Sequence, residues 1–320
     1  MRIESFAEKF LDRPVRQAHH QPEDVRVGDL LRHAMVPATG LRQAIIGFPV
    51  DIGVRINGGR VGAAEGPDAL RPCLYSMTPD ALYHEQHCDI LRSTADLGNL
   101  AVPGGSLERA QELLGEVVAA CLLDGITPIV LGGGHEMAYG VFLGYAMAGM
   151  KVDIVNVDAH LDVRELKNGA GHSGSPFRQA LEHPGRHCAS YTVTGLQVHS
   201  VSRTDLDYAR GRAARLTWRE DFNMEELSRA YQGTGRAVMA TMDMDALDQI
   251  CAPGVSAPAV GGLSADTACL SARRAGASAA VRSFDLAELN PRHDVEQLTA
   301  RLAARVLWSF LRGLADRPVR

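Results

Sequence analysis

The chain has 320 residues, with 33 Lys and Arg against 38 Asp and Glu, for a formal net charge of −5. A mildly negative chain without a basic stripe speaks against nucleic acid as a partner. No apolar run reaches the roughly 18 residues of a membrane span, and Arg2, Glu4, Glu8 and Lys9 interrupt any signal-peptide pattern at the start. The six cysteines (Cys73, Cys88, Cys121, Cys188, Cys251, Cys269) show no C-x-x-C spacing. They read as reduced thiols of a cytoplasmic protein.

Residues 1–40 form a mixed, polar, variable segment, with one short amphipathic helix expected over 27–33. His19-His20 within it reads as a mobile surface pair. A buried strand is expected over 44–48. The glycine-rich stretch 53–71, GVRINGGRVGAAEGPDALR, follows, and its Gly66-Pro67 opens a helix with proline in the first turn. A second strand falls within 87–98 and carries Asp96 near its end. Ser106 is a fair N-cap for a helix running to about Leu123. A third strand, 127–131, runs into Gly132-Gly133-Gly134-His135-Glu136, and helical spacing continues to about Met147. The fourth, 152–157, is short and mostly apolar, and it ends in Asp158-Ala159-His160-Leu161-Asp162. Further strands are expected over 191–196, 237–242 and 281–284. A closing helix is expected over 295–314, with Leu298, Leu302, Val306 and Phe310 forming a core-facing stripe.

Strands alternating with helices imply a parallel sheet covered on both faces, with the whole chain, 1–320, as one domain. Ligands of such sheets bind beyond the carboxyl ends of strands. Asp158, His160 and Asp162 recur at every second residue, so an extended backbone would turn them to one side. Asp243 and Asp245 repeat the pattern after another strand. His135 follows glycines that let the backbone approach closely. Four carboxylates and two imidazoles exceed what one divalent ion uses while keeping a site open. Two ions carry +4 against −4 from the aspartates. Mixed carboxylate and imidazole ligation without thiolate suits manganese, with zinc, cobalt and iron open on ligand type.

GGGHE at 132–136, DAHLDVR at 158–164 and DMDALDQICAPGVSAPAVGGLS at 243–264 resemble the binuclear manganese ureohydrolases, the family of arginase and agmatinase. The resemblance runs from about Ile45 to Leu314. It implies a three-layer α/β/α sandwich around a mostly parallel sheet of about eight strands, two Mn2+ per subunit, and assembly as a homo-oligomer, trimer or hexamer. It places His135 and Asp162 at one metal, His160 and Asp245 at the other, and Asp158 and Asp243 as bridges. Glu288 falls where the family holds the amidine or guanidine group of its substrate.

The stretches 53–71 and 287–304 look like the branch of the family that hydrolyses N-formimidoyl-L-glutamate to glutamate and formamide, a step of histidine degradation. A substrate with two carboxylates needs cationic and polar recognition, for which Arg55, Asn57 and Arg60 are candidates; otherwise these residues solvate a surface loop. Ser173 stands where arginases have a proton-carrying His, with His172 one residue early, either as a proton carrier or as an exposed loop residue. Asp162 is the expected relay to the leaving amine. Other readings are a hydrolase of a guanidino compound such as guanidinobutyrate or agmatine, and a non-catalytic relative.

Overall fold

The computed structural model describes residue 6 and residues 24–33, 40–102 and 105–317. His19-His20 and most of the variable segment 1–40 lie outside them. Among the described residues nine strands form one sheet: β1 (Arg32–His33), β2 (Gln43–Gly47), β3 (Thr94–Asn99), β4 (Thr127–Leu131), β5 (Val152–Val157), β6 (Cys188–Leu196), β7 (Arg215–Trp218), β8 (Ala237–Asp243) and β9 (Val281–Ala287). Their order is β1-β3-β2-β4-β9-β8-β5-β6-β7, and every pairing is parallel. The expected sheet of about eight strands is present, extended at one edge by the two-residue β1.

The central strands are buried along their length because both faces are covered. Successive side chains point to opposite faces, and β5 shows the result. Val155 and Val157 join a core with helices Gly66–Tyr75, Ala265–Ala277 and Leu298–Leu314. Val152 and Ile154 join a second core with helices Leu107–Leu123 and Met137–Met147. These are the three layers. Burying a side chain such as Val155 contributes roughly 1.5–3 kcal/mol, so the two cores hold the sheet from both sides.

Three expectations are corrected. The helix expected over 27–33 stops at Leu30; Leu31 turns extended, and Arg32–His33 pair with Ala95 and Asp96 of β3. The glycine-rich stretch 53–71 is not all loop, since Ile52–Asn57 is helical and ends at Gly58 in a left-handed conformation, φ 86°. In the closing helix, Leu298–Leu314, the stripe buries Val306 and Phe310, whereas Leu298 at its first turn is 43% exposed.

Candidate metal centre and active site

Four strands that adjoin in the sheet, β4, β9, β8 and β5, deliver the acidic and imidazole groups at their carboxyl ends. The peptide after β4 can pass close to its neighbours only because it is glycine: a Cβ on Gly133 would lie 2.0 Å from the Val50 carbonyl oxygen. His135 follows, 1% exposed.

The aspartates converge through turns rather than by extended alternation. Asp158 Oδ1 accepts the His160 N–H at 2.7 Å, and Asp243 Oδ1 accepts the Asp245 N–H at 2.8 Å. The same local turn, with an Asp bonding its own backbone two residues on, therefore ends both strands. Asp162 departs further from an extended chain, with φ 47°. Glu288, just past β9, also has positive φ, 67°. Both are strained positions for side-chain-bearing residues, of a kind that gathers at functional sites.

His135 Nδ1 lies 3.0 Å from Asp162 Oδ2, 3.0 Å from Asp243 Oδ2 and 3.3 Å from Asp158 Oδ2. His160 Nδ1 lies 3.3 Å from Asp245 Oδ1 and 3.4 Å from Asp158 Oδ1. The potential ligands form two groups, His135 with Asp158, Asp162 and Asp243, and Asp158 with His160 and Asp245. Octahedral bonds of about 2.1 Å set neighbouring ligands about 3.0 Å apart, so these spacings suit a divalent ion in each group. His135 Nδ1 in the first group and Asp245 Oδ1 in the second are each buried without a hydrogen-bond partner, which also fits a cation in each group.

The electrostatics agree. Burial works against a charged His135, yet the carboxylates of Asp158, Asp162 and Asp243 around it raise it well above the ordinary imidazole value. Burial and then the charge of Asp158 raise Asp162 to about 6. Burial and then Asp243 raise Asp245 well above the carboxylate range. Carboxylates this close cannot all ionise without positive charge among them.

The surroundings orient these groups. His135 Nε2 meets Thr241 Oγ1 at 3.0 Å, and Thr241 is in register with the buried Asp285. The Asn156 amide donates to Asp158 Oδ2 at 2.9 Å. Phe177 packs edge-on to His135, with ring centroids 5.2 Å apart. Glu288 Oε1 accepts the His135 backbone N–H at 2.8 Å, and Ser256 Oγ donates to its Oε2.

A cleft of about 280 Å³ opens over this floor, lined by His160, Asp162, Asp243, Asp245 and Glu288, and walled by Asn57, Gly58, Gly59, Arg164, Ser173, Ser256 and Ala257. Asn57 Nδ2 donates to Ser173 Oγ at 3.2 Å, and Arg164 Nη1 donates to Asn57 Oδ1 at 3.3 Å. Of the residues expected at the substrate, Asn57 and Ser173 are here. Arg55 is exposed and does not line the cleft. Arg60 does not line it either, because its guanidinium donates to the backbone carbonyls of Ser256, at 3.2 Å, and Val255. His172 is neither exposed nor in the cleft. Its Nε2 meets the Glu165 carbonyl at 2.9 Å and its Nδ1 accepts the Gly174 N–H at 3.1 Å, so both nitrogens are committed to backbone. Burial first, then Lys167 and Arg164, push its pKa down. Arg164, Ser256 and Thr241 were missed. Arg164 had a signal: two residues past Asp162, it leaves the same strand end.

Parallel sheet, strand-end carboxylates and paired imidazoles together define a metallohydrolase architecture. A family model described as the arginase family matches residues 42–312, and the chain belongs to that family. It is 40% identical over 279 residues to a formimidoylglutamase of Rhodococcus jostii (strain RHA1), covering 82% of this chain and 83% of the relative. The crystal structure of Trypanosoma cruzi formiminoglutamase with two Mn2+ superposes with a TM-score of 0.82 at 31% identity, covering 92% of this chain and 100% of that one. Formimidoylglutamase from Bacillus subtilis subsp. subtilis str. 168, at 23% identity and a TM-score of 0.84 over 96% of this chain and 97% of that one, shares the fold.

Proposed function

We propose that this chain is a binuclear manganese hydrolase of amidine C–N bonds that converts N-formimidoyl-L-glutamate and water to L-glutamate and formamide, in histidine degradation. The observation that carries the reading is the pair of ligand groups on the floor of a cleft whose wall holds Arg164 beside Asn57 and Ser173. His135, Asp158, Asp162 and Asp243 would hold one Mn2+, and Asp158, His160 and Asp245 the other. Two such ions supply an acidified water and a positive field for the charge that develops on the substrate.

The chain's own residues do the rest. Glu288 accepts N–H groups of the planar amidine and fixes its carbon over the floor. Asp162, which lines the cleft beside Glu288, passes a proton to the departing amine of glutamate. Arg164 pairs with a substrate carboxylate through its planar fork, and Asn57 and Ser173 add neutral donors. Arg60 braces the Val255–Ser256 backbone that brings Ser256 to Glu288. His172 fixes the turn that presents Ser173.

We also take the chain as one domain of a cytoplasmic homo-oligomer. No helix among the described residues is long and apolar enough to cross a membrane. Val198, Ile250 and Val260 are 61%, 84% and 67% exposed, and Gln197 bonds the Val260 carbonyl, so the loops bearing Val198 and Val260 sit side by side, as a subunit contact would use them. Sedimentation would give the state as trimer or hexamer. The decisive test of function is a panel of amidine and guanidino substrates with manganese-loaded protein. Formamide from formimidoylglutamate is expected; urea from guanidinobutyrate or agmatine, with formimidoylglutamate untouched, overturns the reading.

A further inference from the structure

Glu136 follows His135 directly, is completely buried, and does not line the cleft. Its Oε1 accepts the backbone N–H of Gly53 at 2.6 Å, with the Val54 amide beside it. Gly53 and Val54 open the helix Ile52–Asn57. That helix has no side-chain cap of its own, because the carboxylate of Asp51, its N-cap residue, accepts the Gly62 N–H at 2.6 Å and the Ala64 N–H at 3.4 Å instead. The first N–H groups of a helix need acceptors when buried, and Glu136 provides one from the loop after β4, the strand paired with β2. The fit is close. A Cβ on Gly53 would lie 2.6 Å from Glu136 Cδ, and one on Gly134 would lie 2.0 Å from its Oε2.

A helix of six residues is not stable by itself. At its other end Lys167 Nζ bonds the carbonyls of Ile56 and Asn57, each at 3.0 Å. It is thus held at both ends by side chains from elsewhere, and its last residue, Asn57, carries the contacts to Ser173 and Arg164 in the cleft wall. We propose that Glu136 is a positioning residue for substrate recognition: it ties the helix Ile52–Asn57, and with it the Asn57–Gly59 wall of the cleft, to the loop that carries His135. Displacing such a wall by about 1 Å can change catalysis about a hundredfold, so one buried hydrogen bond has leverage on a group it never touches.

The inference rests on the substrate reading above for its kinetic readout, and the experiment separates the two. Glu136→Met keeps the length of the side chain and removes the acceptor; Glu136→Gln keeps an acceptor oxygen. Manganese-loaded wild type and both variants are compared for KM and kcat with N-formimidoyl-L-glutamate, for manganese per subunit, and for amide exchange over residues 52–59. Glu136→Met is expected to raise KM about tenfold, the weight of one lost buried hydrogen bond, with a much smaller change in kcat, full manganese and faster exchange over 52–59. Glu136→Gln should restore both KM and exchange. Unchanged KM and exchange in Glu136→Met, or loss of manganese and kcat in step with KM, overturns the proposal, as does a Glu136→Gln variant no better than Glu136→Met. If wild type does not cleave formimidoylglutamate, the substrate reading fails alone, and the exchange comparison decides for or against Glu136.

Discussion

Glu288 Oε1 accepts the backbone N–H of His135 at 2.8 Å across 153 positions of sequence. The group placed to hold the amidine is thereby fixed to the residue placed to hold a metal, so substrate carbon and metals share one frame. Glu288→Gln keeps an acceptor for that N–H but weakens the pull on a cationic amidine. It is expected to lower kcat/KM about a hundredfold with manganese content unchanged, measured as formamide release beside elemental analysis.

Thr241 offers a test at one remove from the metals. It bonds His135 Nε2 and so sets the ring that presents Nδ1 to three aspartates. Partners of this kind are worth about 10–100-fold in metal affinity. Thr241→Val, similar in shape, should weaken manganese binding by that factor in a titration while leaving the circular dichroism spectrum intact.

Arg164 should govern the substrate's carboxylate end. Arg164→Ala is expected to raise KM for formimidoylglutamate about ten- to hundredfold with manganese retained. Arg164→Lys should recover only part, since an ammonium lacks the planar fork. An equal loss of affinity toward an amidine without carboxylates would place Arg164 elsewhere in the mechanism.

Stripping manganese should unload a floor of carboxylates that repel one another. Chelated protein is expected to lose activity and melt at lower temperature, and added manganese should restore both. At a metal concentration a hundredfold above Kd the stabilisation is about 3 kcal/mol, readable as a shift in the thermal midpoint.

His87, in the helix His84–Arg92 and not among the residues lining the cleft, predicts a pH effect of its own. Burial, then the charge of Arg312, push it from 6.5 down to about 4, and its Nδ1 accepts the Asp80 N–H at 3.0 Å. The folded value lies below the unfolded one, so the unfolded chain binds the extra proton. Stability present above pH 6.5 is therefore lost as pH falls towards 4. With both proteins manganese-saturated, His87→Gln should lose less stability than wild type across that window in urea titrations.

The strands that build the site could be read from the sequence because they are buried on both faces: β4 and β5 are unbroken runs of mostly apolar residues, and the polar motifs begin where they stop. The ligand residues stood out because acids and imidazoles in that position have no other use in a core. What escaped was of two kinds. The helices Arg203–Gly211 and Met224–Gln232 and the edge strand β7 bury few residues, so their apolar pattern is thin. The roles of Arg60, His172 and Arg164 turned on which partner each found in space, and a backbone carbonyl leaves no trace in the order of residues. Arg60 and Arg164 look alike as letters; only the first is occupied by Ser256 and Val255.

The strand order has a consequence for biosynthesis. β9 lies between β4 and β8, yet it is the last strand of the sheet in chain order. While the ribosome is still adding it, the nascent chain holds two half-sheets with open inner edges, which invite pairing with other chains. That stage closes when β9 enters the gap and brings Glu288 to His135.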